Sequence, residues 1–171
     1  MKRLALLRHA KSSWEDPGLD DYDRRLNDRG LKAARCIGHE MKRRGLRFDV
    51  VLASTAARVR ETIDGVEKDF DFDAPVRFEQ AIYLASPETL LELIRALPGT
   101  VEAALLVGHN PGLERLILEL TRDDAVGFRQ RVATKYPTAA LALLELAGDH
   151  WTGIGRGSGE IVDLIFPKDL A

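Results

Sequence analysis

Cysteine is almost missing from this chain. Cys36 stands alone among 171 residues, so no disulfide can form within it. That excludes a disulfide-stapled miniprotein and fits a reducing compartment. An excess of one charge sign is missing too. Twenty-five Lys and Arg against 27 Asp and Glu leave a net charge of -2, so no global basic field recruits nucleic acid or an anionic membrane. No apolar run approaches the ~20 residues that a membrane helix needs. The run Leu4–Leu7 stops at Arg8-His9, short of the roughly 7–15 apolar residues of a signal segment. It reads as a first strand, and a cytoplasmic location is the default expectation. No G-x-x-x-x-G-K loop supports ATP chemistry. Gly153, Gly155, Gly157 and Gly159 alternate ahead of a strand rather than a helix, which marks a flexible turn. Repeats, low-complexity tracts and linkers are also missing, so residues 1–171 read as one domain.

What is present is an ordinary globular balance. With 45% hydrophobic and 30% charged residues, the chain is neither disordered nor collagen-like and can bury a real core. Apolar runs alternate with helical periodicity. Leu4–Leu7, Val50–Ala53 and Ala103–Val107 read as buried strands. Leu31, Ala34, Ile37 and Met41 recur on one helix face, as do Val59, Ile63, Val66 and Phe70. Leu90, Ile94 and Leu97 mark a third helix after Pro87, and Leu113, Leu116, Ile117 and Leu120 a fourth after Pro111. Ala139–Leu146 and Ile161–Phe166 close the chain as an antiparallel hairpin. The order predicts an α/β fold, a three-layer sandwich whose mostly parallel central sheet is flanked by helices.

In such sheets chemistry collects beyond the carboxyl ends of the strands. Arg8-His9 follows the first run, Ser54 and then Arg58 follow the second, and Gly108-His109-Asn110-Pro111 follows the third. If the strands are neighbours, two arginines and two histidines meet at one sheet edge. A metal there would face two guanidinium groups without a carboxylate or thiolate to complete its ligand set, so no metal is expected. An anion fits instead, because guanidinium forks match phosphate oxygens and neutralise a phosphoryl group in transfer. His109 also precedes a helix N-terminus, which favours an anion. A neutral imidazole is a competent nucleophile near pH 7, and attack on phosphorus gives a phosphohistidine. Cys36, mid-helix, reads as structural. His39 and His150 read as solvated, Arg60 as a surface residue, and Lys42-Arg43-Arg44 as cations at a helix C-terminus.

These blocks resemble a known family. Leu7-Arg8-His9-Ala10 is similar to the motif that opens the histidine phosphatase superfamily, which includes the cofactor-dependent phosphoglycerate mutases. Ser54, Arg58 and Thr62 resemble its second block, and Val107-Gly108-His109-Asn110-Pro111 the block of its second histidine. The segments His9–Trp14, Asp23–Gly30 and Lys135–Thr138 are similar to the small phosphohistidine phosphatases of the SixA type. The resemblance implies a phosphoglycerate mutase-like fold and His9 as the phosphorylated nucleophile. It further implies that Arg8, Arg58 and His109 bind the phosphoryl group, with no cofactor. It implies a glutamate proton donor between Arg58 and His109, for which Glu79 is the candidate and Glu88 a second. Asp16, Asp20, Asp21 and Asp23 in the loop after His9 are rivals. The substrate implied is a phosphohistidine on a partner protein. A small phosphomonoester, or a phosphate-binding module without turnover, are the alternatives.

Overall fold

In the computed structural model, residues 1–170 are described. The strands are β1 (Lys2–Arg8), β2 (Val50–Ser54), β3 (Val76–Glu79), β4 (Ala103–Gly108), β5 (Leu141–Leu146) and β6 (Gly159–Ile165). The helices are α1 (Asp28–Arg43), α2 (Ala57–Val66), α3 (Pro87–Arg95), α4 (Gly112–Leu120) and α5 (Phe128–Thr134). The strands form one sheet in the order β3-β2-β4-β1-β5-β6. β1 to β4 pair in parallel, and β5 and β6 pair antiparallel. This is the three-layer α/β sandwich expected from the sequence.

The strand sequences explain the layers. β2 and β4 are buried along their whole lengths, as a parallel strand covered on both faces must be. Alternate residues serve opposite faces. Leu4, Leu6, Leu52 and Leu106 pack toward α3 and α4, while Ala5, Leu7, Val51 and Leu105 pack toward α1 and α2. α1 and α4 supply apolar stripes: Ala34, Ile37 and Met41 from α1, and Leu113, Leu116, Ile117 and Leu120 from α4. Asn27 caps α1 by accepting from the Gly30 amide, and Ser86 caps α3 by accepting from Thr89.

Some boundaries move. α2 ends at Val66 and α3 at Arg95, so Phe70 and Leu97 reach the core from the segments that follow. The first hairpin strand starts at Leu141 rather than Ala139, whose φ of 60° breaks the extended run. Cys36 is not a packed structural residue; it lies on the exposed face of α1. Two elements escape the periodicity reading. β3 is a four-residue edge strand with no buried residue, and α5 buries Val132 alone. No helix among the described residues is long and apolar enough to cross a membrane.

Candidate active site

Register brings the strand ends level. Arg8 of β1 stands beside Gly108 of β4, and Ala53 of β2 beside Val107. One residue further, His9, His109 and Ser54 are therefore neighbours. The two imidazole rings lie 5.3 Å apart between centroids. Arg58, in the first turn of α2, reaches His109 Nδ1 with Nη2 at 3.3 Å. Arg8, His9, Arg58 and His109 all line one cleft of about 560 Å³. Five cationic side chains, Arg8, Lys11, Arg24, Arg58 and Lys135, share its wall with a single carboxylate, Asp21.

Hydrogen bonds set the state of each imidazole. His9 Nδ1 lies 2.7 Å from the Ala10 carbonyl oxygen, which only accepts. The proton is therefore on Nδ1, and neutral His9 keeps the lone pair of Nε2. His109 Nδ1 faces a guanidinium that only donates, so its proton is on Nε2 and goes to Ser54 Oγ at 2.8 Å. Burial, followed by the charges of Arg58, Arg8 and Arg24, pushes His9 down to about 4 against a bonded Ala10 carbonyl that raises it. Burial, then His9 and Arg58, takes His109 down to about 3. Both rings are neutral at pH 7.

Backbone and hydroxyl contacts lock these groups together. The Ala10 amide donates to Thr62 Oγ1 at 2.9 Å, and that hydroxyl donates to the Arg58 carbonyl at 2.7 Å. Thr62, fully buried on α2, thus ties the loop of His9 to the helix turn of Arg58. The Tyr136 carbonyl accepts from Arg8 Nη1 at 3.0 Å and from Asn110 Nδ2 at 2.9 Å. Arg8 Nε is buried without an acceptor. Gly30 lets α1 abut the same loop, since a Cβ there would lie 2.1 Å from the Lys11 carbonyl oxygen.

The expected acid is elsewhere. Glu79 ends the edge strand β3 and pairs with Arg77 at 3.0 Å. Two strands, β2 and β4, separate it from β1. At about 4.8 Å per strand, that sets it roughly 14 Å to the side of His9. Glu88 is exposed in the first turn of α3. Of the loop aspartates, Asp21 alone lines the cleft. Its carboxylate accepts from Tyr83 Oη at 2.6 Å, from Arg58 Nη2 at 3.0 Å and from Arg24 Nη1 at 2.9 Å. Burial pushes its pKa up, but the bonds from Tyr83 and Arg58 and the charges of Arg58 and Arg24 outweigh it and leave it lowered. Asp21 is a carboxylate in this cleft. The helix N-terminus after His109 contributes less than expected. The amides of Leu113 and Glu114 are taken by the His109 carbonyl and the Asn110 side chain.

Sequence reasoning did not find Ser54 as the partner of His109, nor Tyr83 or Arg24. Ser54 and Thr62 stand in the matched motif, which was signal enough to ask what they hold.

Comparison with known proteins identifies the family and the fold. Residues 4–82 match the model of the histidine phosphatase superfamily (branch 1). An uncharacterized protein of Mycobacterium leprae is 36% identical over 171 residues, covering 95% of this chain and 100% of its own length. A candidate phosphohistidine phosphatase SixA from Agrobacterium tumefaciens superposes with a TM-score of 0.82 at 32% identity, covering 97% of this chain and 98% of that one. The protein histidine phosphatase SixA in complex with tungstate reaches 0.81 at 18% identity over 99% of both chains, a likeness of fold alone.

Proposed function

The chain belongs to the histidine phosphatase superfamily, and from that premise we propose that it is a phosphatase working through a covalent phosphohistidine on His9, with a phosphohistidine-bearing protein as substrate. One observation carries this reading. The tautomer that leaves Nε2 of His9 free lies in a cleft walled by two guanidinium groups and a second imidazole.

The Nε2 lone pair attacks phosphorus, and the bond from phosphorus to the substrate nitrogen breaks. Arg8 and Arg58 meet the charge that spreads over the three equatorial oxygens. Neutral His109 offers Arg58 an acceptor at Nδ1. The approaching dianion favours its imidazolium form, which turns Nδ1 into a donor to a phosphoryl oxygen. Water then attacks the phosphohistidine, the P–N bond to His9 breaks, and phosphate leaves with neutral His9 restored.

Asp21 supports the substrate class. An alkoxide leaving group needs an acid at the breaking bond. The carboxyl group in this cleft is ionised and held by three donors, so it has no proton ready to give. An imidazole leaves as a neutral ring once its remote nitrogen is protonated, and solvent can supply that proton. With the His109 imidazolium engaged by a phosphoryl oxygen and Asp21 ionised, phosphoramidates suit this cleft better than alkyl phosphates. The tungstate complex of the protein histidine phosphatase SixA supports an oxyanion as the ligand of this fold.

A substrate panel tests the reading. The chain should hydrolyse a phosphohistidine peptide well ahead of serine, sugar and nucleotide phosphates, and His9→Ala should abolish turnover while leaving the circular dichroism spectrum unchanged. Preference for an alkyl ester would replace the substrate. Oxyanion binding without any turnover would make the protein a binding module.

A further inference from the structure

The cleft has a rim that phosphoryl transfer does not use. Trp14 lines it while 76% exposed, and Leu84 lines it while 56% exposed. Of the exposed large apolar side chains, these two line the cleft that holds His9. Neither is loosely placed. The Arg24 guanidinium carbon sits 3.2 Å from the centroid of the indole ring. Arg24 is itself fixed by the Ser13 carbonyl at 3.1 Å, by Asp21 at 2.9 Å and by the Ser12 hydroxyl. One face of the indole is thus held on a rigid, buried cation. Leu84 has a φ of 49°, a left-handed backbone that costs energy for a side chain with a Cβ. The fold bears that cost at a residue whose apolar side chain lines the opening. Lys11 and Lys135, both exposed, line the same cleft.

The two apolar residues come from different parts of the chain. Trp14 is in the loop after β1, and Leu84 lies between β3 and α3. We propose that Trp14 and Leu84 are the lips that grip a polypeptide substrate at an apolar residue beside its phosphorylated side chain, with Lys11 and Lys135 receiving acidic residues that flank it. A substrate that extends beyond its phosphoryl group can reach the exposed Trp14, Leu84, Lys11 and Lys135 of the same cleft, which a small phosphate ester has little chain to engage. Burying an indole and a leucine against an apolar neighbour releases the water that now covers them. The acidic flanks complement the excess positive charge of the cleft. This inference rests on the proposed phosphohistidine phosphatase reading and adds how the carrier protein is chosen.

The test compares two probes on the intact chain. One is phosphoramidate, which carries no polypeptide. The other is a histidine-phosphorylated peptide with leucine beside the phosphohistidine and glutamates flanking it. Trp14→Ala and Leu84→Gly should each lower the peptide-to-phosphoramidate ratio of kcat/KM by about tenfold, through KM, a loss of about 1.4 kcal/mol. Trp14→Phe should restore most of it. Replacing the peptide's leucine by glycine should cost the wild type the same and the variants nothing more. Lysines in place of the glutamates should weaken it further. An unchanged ratio in both variants, with both substrates turned over, overturns the lips alone. Equal losses on both probes overturn them too, and place Trp14 in support of Arg24. A wild type inactive on phosphoramidate and peptide alike overturns the underlying phosphatase reading instead.

Discussion

A single hydroxyl, that of Thr62, joins the helix carrying Arg58 to the loop carrying His9. Thr62→Val keeps the shape but leaves the Ala10 amide without an acceptor in a buried place, a cost of about 1–3 kcal/mol. The Ala10 carbonyl, which fixes the tautomer of His9, belongs to the same residue. The expected result is a fall in kcat of about ten- to a hundredfold with little change in KM, since misplacement of a reacting group acts on the chemical step. Thr62→Ser should recover most of it. Full activity in Thr62→Val, measured by steady-state kinetics, would show that the loop holds itself. At this scale the sequence was legible where a polar residue follows directly on an apolar run, as at Arg8, His9 and His109, which meet in one cleft as expected. It was not legible where a role depends on a partner far along the chain. Asp21 meets Arg58 and Tyr83 across separations of 37 and 62 residues. Nothing near Asp21 sets it apart from Asp16, Asp20 or Asp23. Glu79 misled because position along the chain does not tell which strand of the sheet will carry a residue.

Elements place the site through two registers. β1 and β4 end level, which sets His9 beside His109, and α1 packs its first turn on the loop that follows β1. Gly30 is the contact point of the second. Gly30→Ala drives a methyl group into the Lys11 carbonyl, so the helix or the loop must shift. The expected cost is about 1–3 kcal/mol in chemical denaturation, as for other overpacked sites, together with a loss of turnover. A variant as stable and as active as the wild type would mean that this contact does not position the loop. Strands buried on both faces announce themselves as unbroken apolar runs, so β1, β2 and β4 were readable. β3 pairs on one side only and alternates with charged residues over four positions. α5 buries one residue of seven. Neither leaves a period long enough to see, because tertiary packing rather than local pattern makes them.

Across the whole molecule, the cost of the site is the burial of two imidazoles among arginines. In the unfolded chain they take up protons as pH falls past their ordinary 6.5, whereas in the fold they resist until about 4 for His9 and about 3 for His109. The unfolded state therefore binds more protons through that window, and the stability held above pH 6.5 is lost as pH falls through it. Melting temperature should drop between pH 7 and pH 5. The drop should be smaller with saturating tungstate, whose charge favours the imidazolium forms, and smaller in the His9→Ala, His109→Ala double variant. A flat profile in the wild type would contradict the buried neutral pair. The whole arrangement stands on His9 Nε2 as the atom that takes the phosphoryl group. The most direct measurement is an alkaline quench during turnover of a labelled phosphohistidine peptide, followed by mass mapping of the chain. The expected product is phosphate on His9, stable in base and lost in acid. Phosphate on another residue, or turnover with no phosphorylated enzyme at any time, would contradict it.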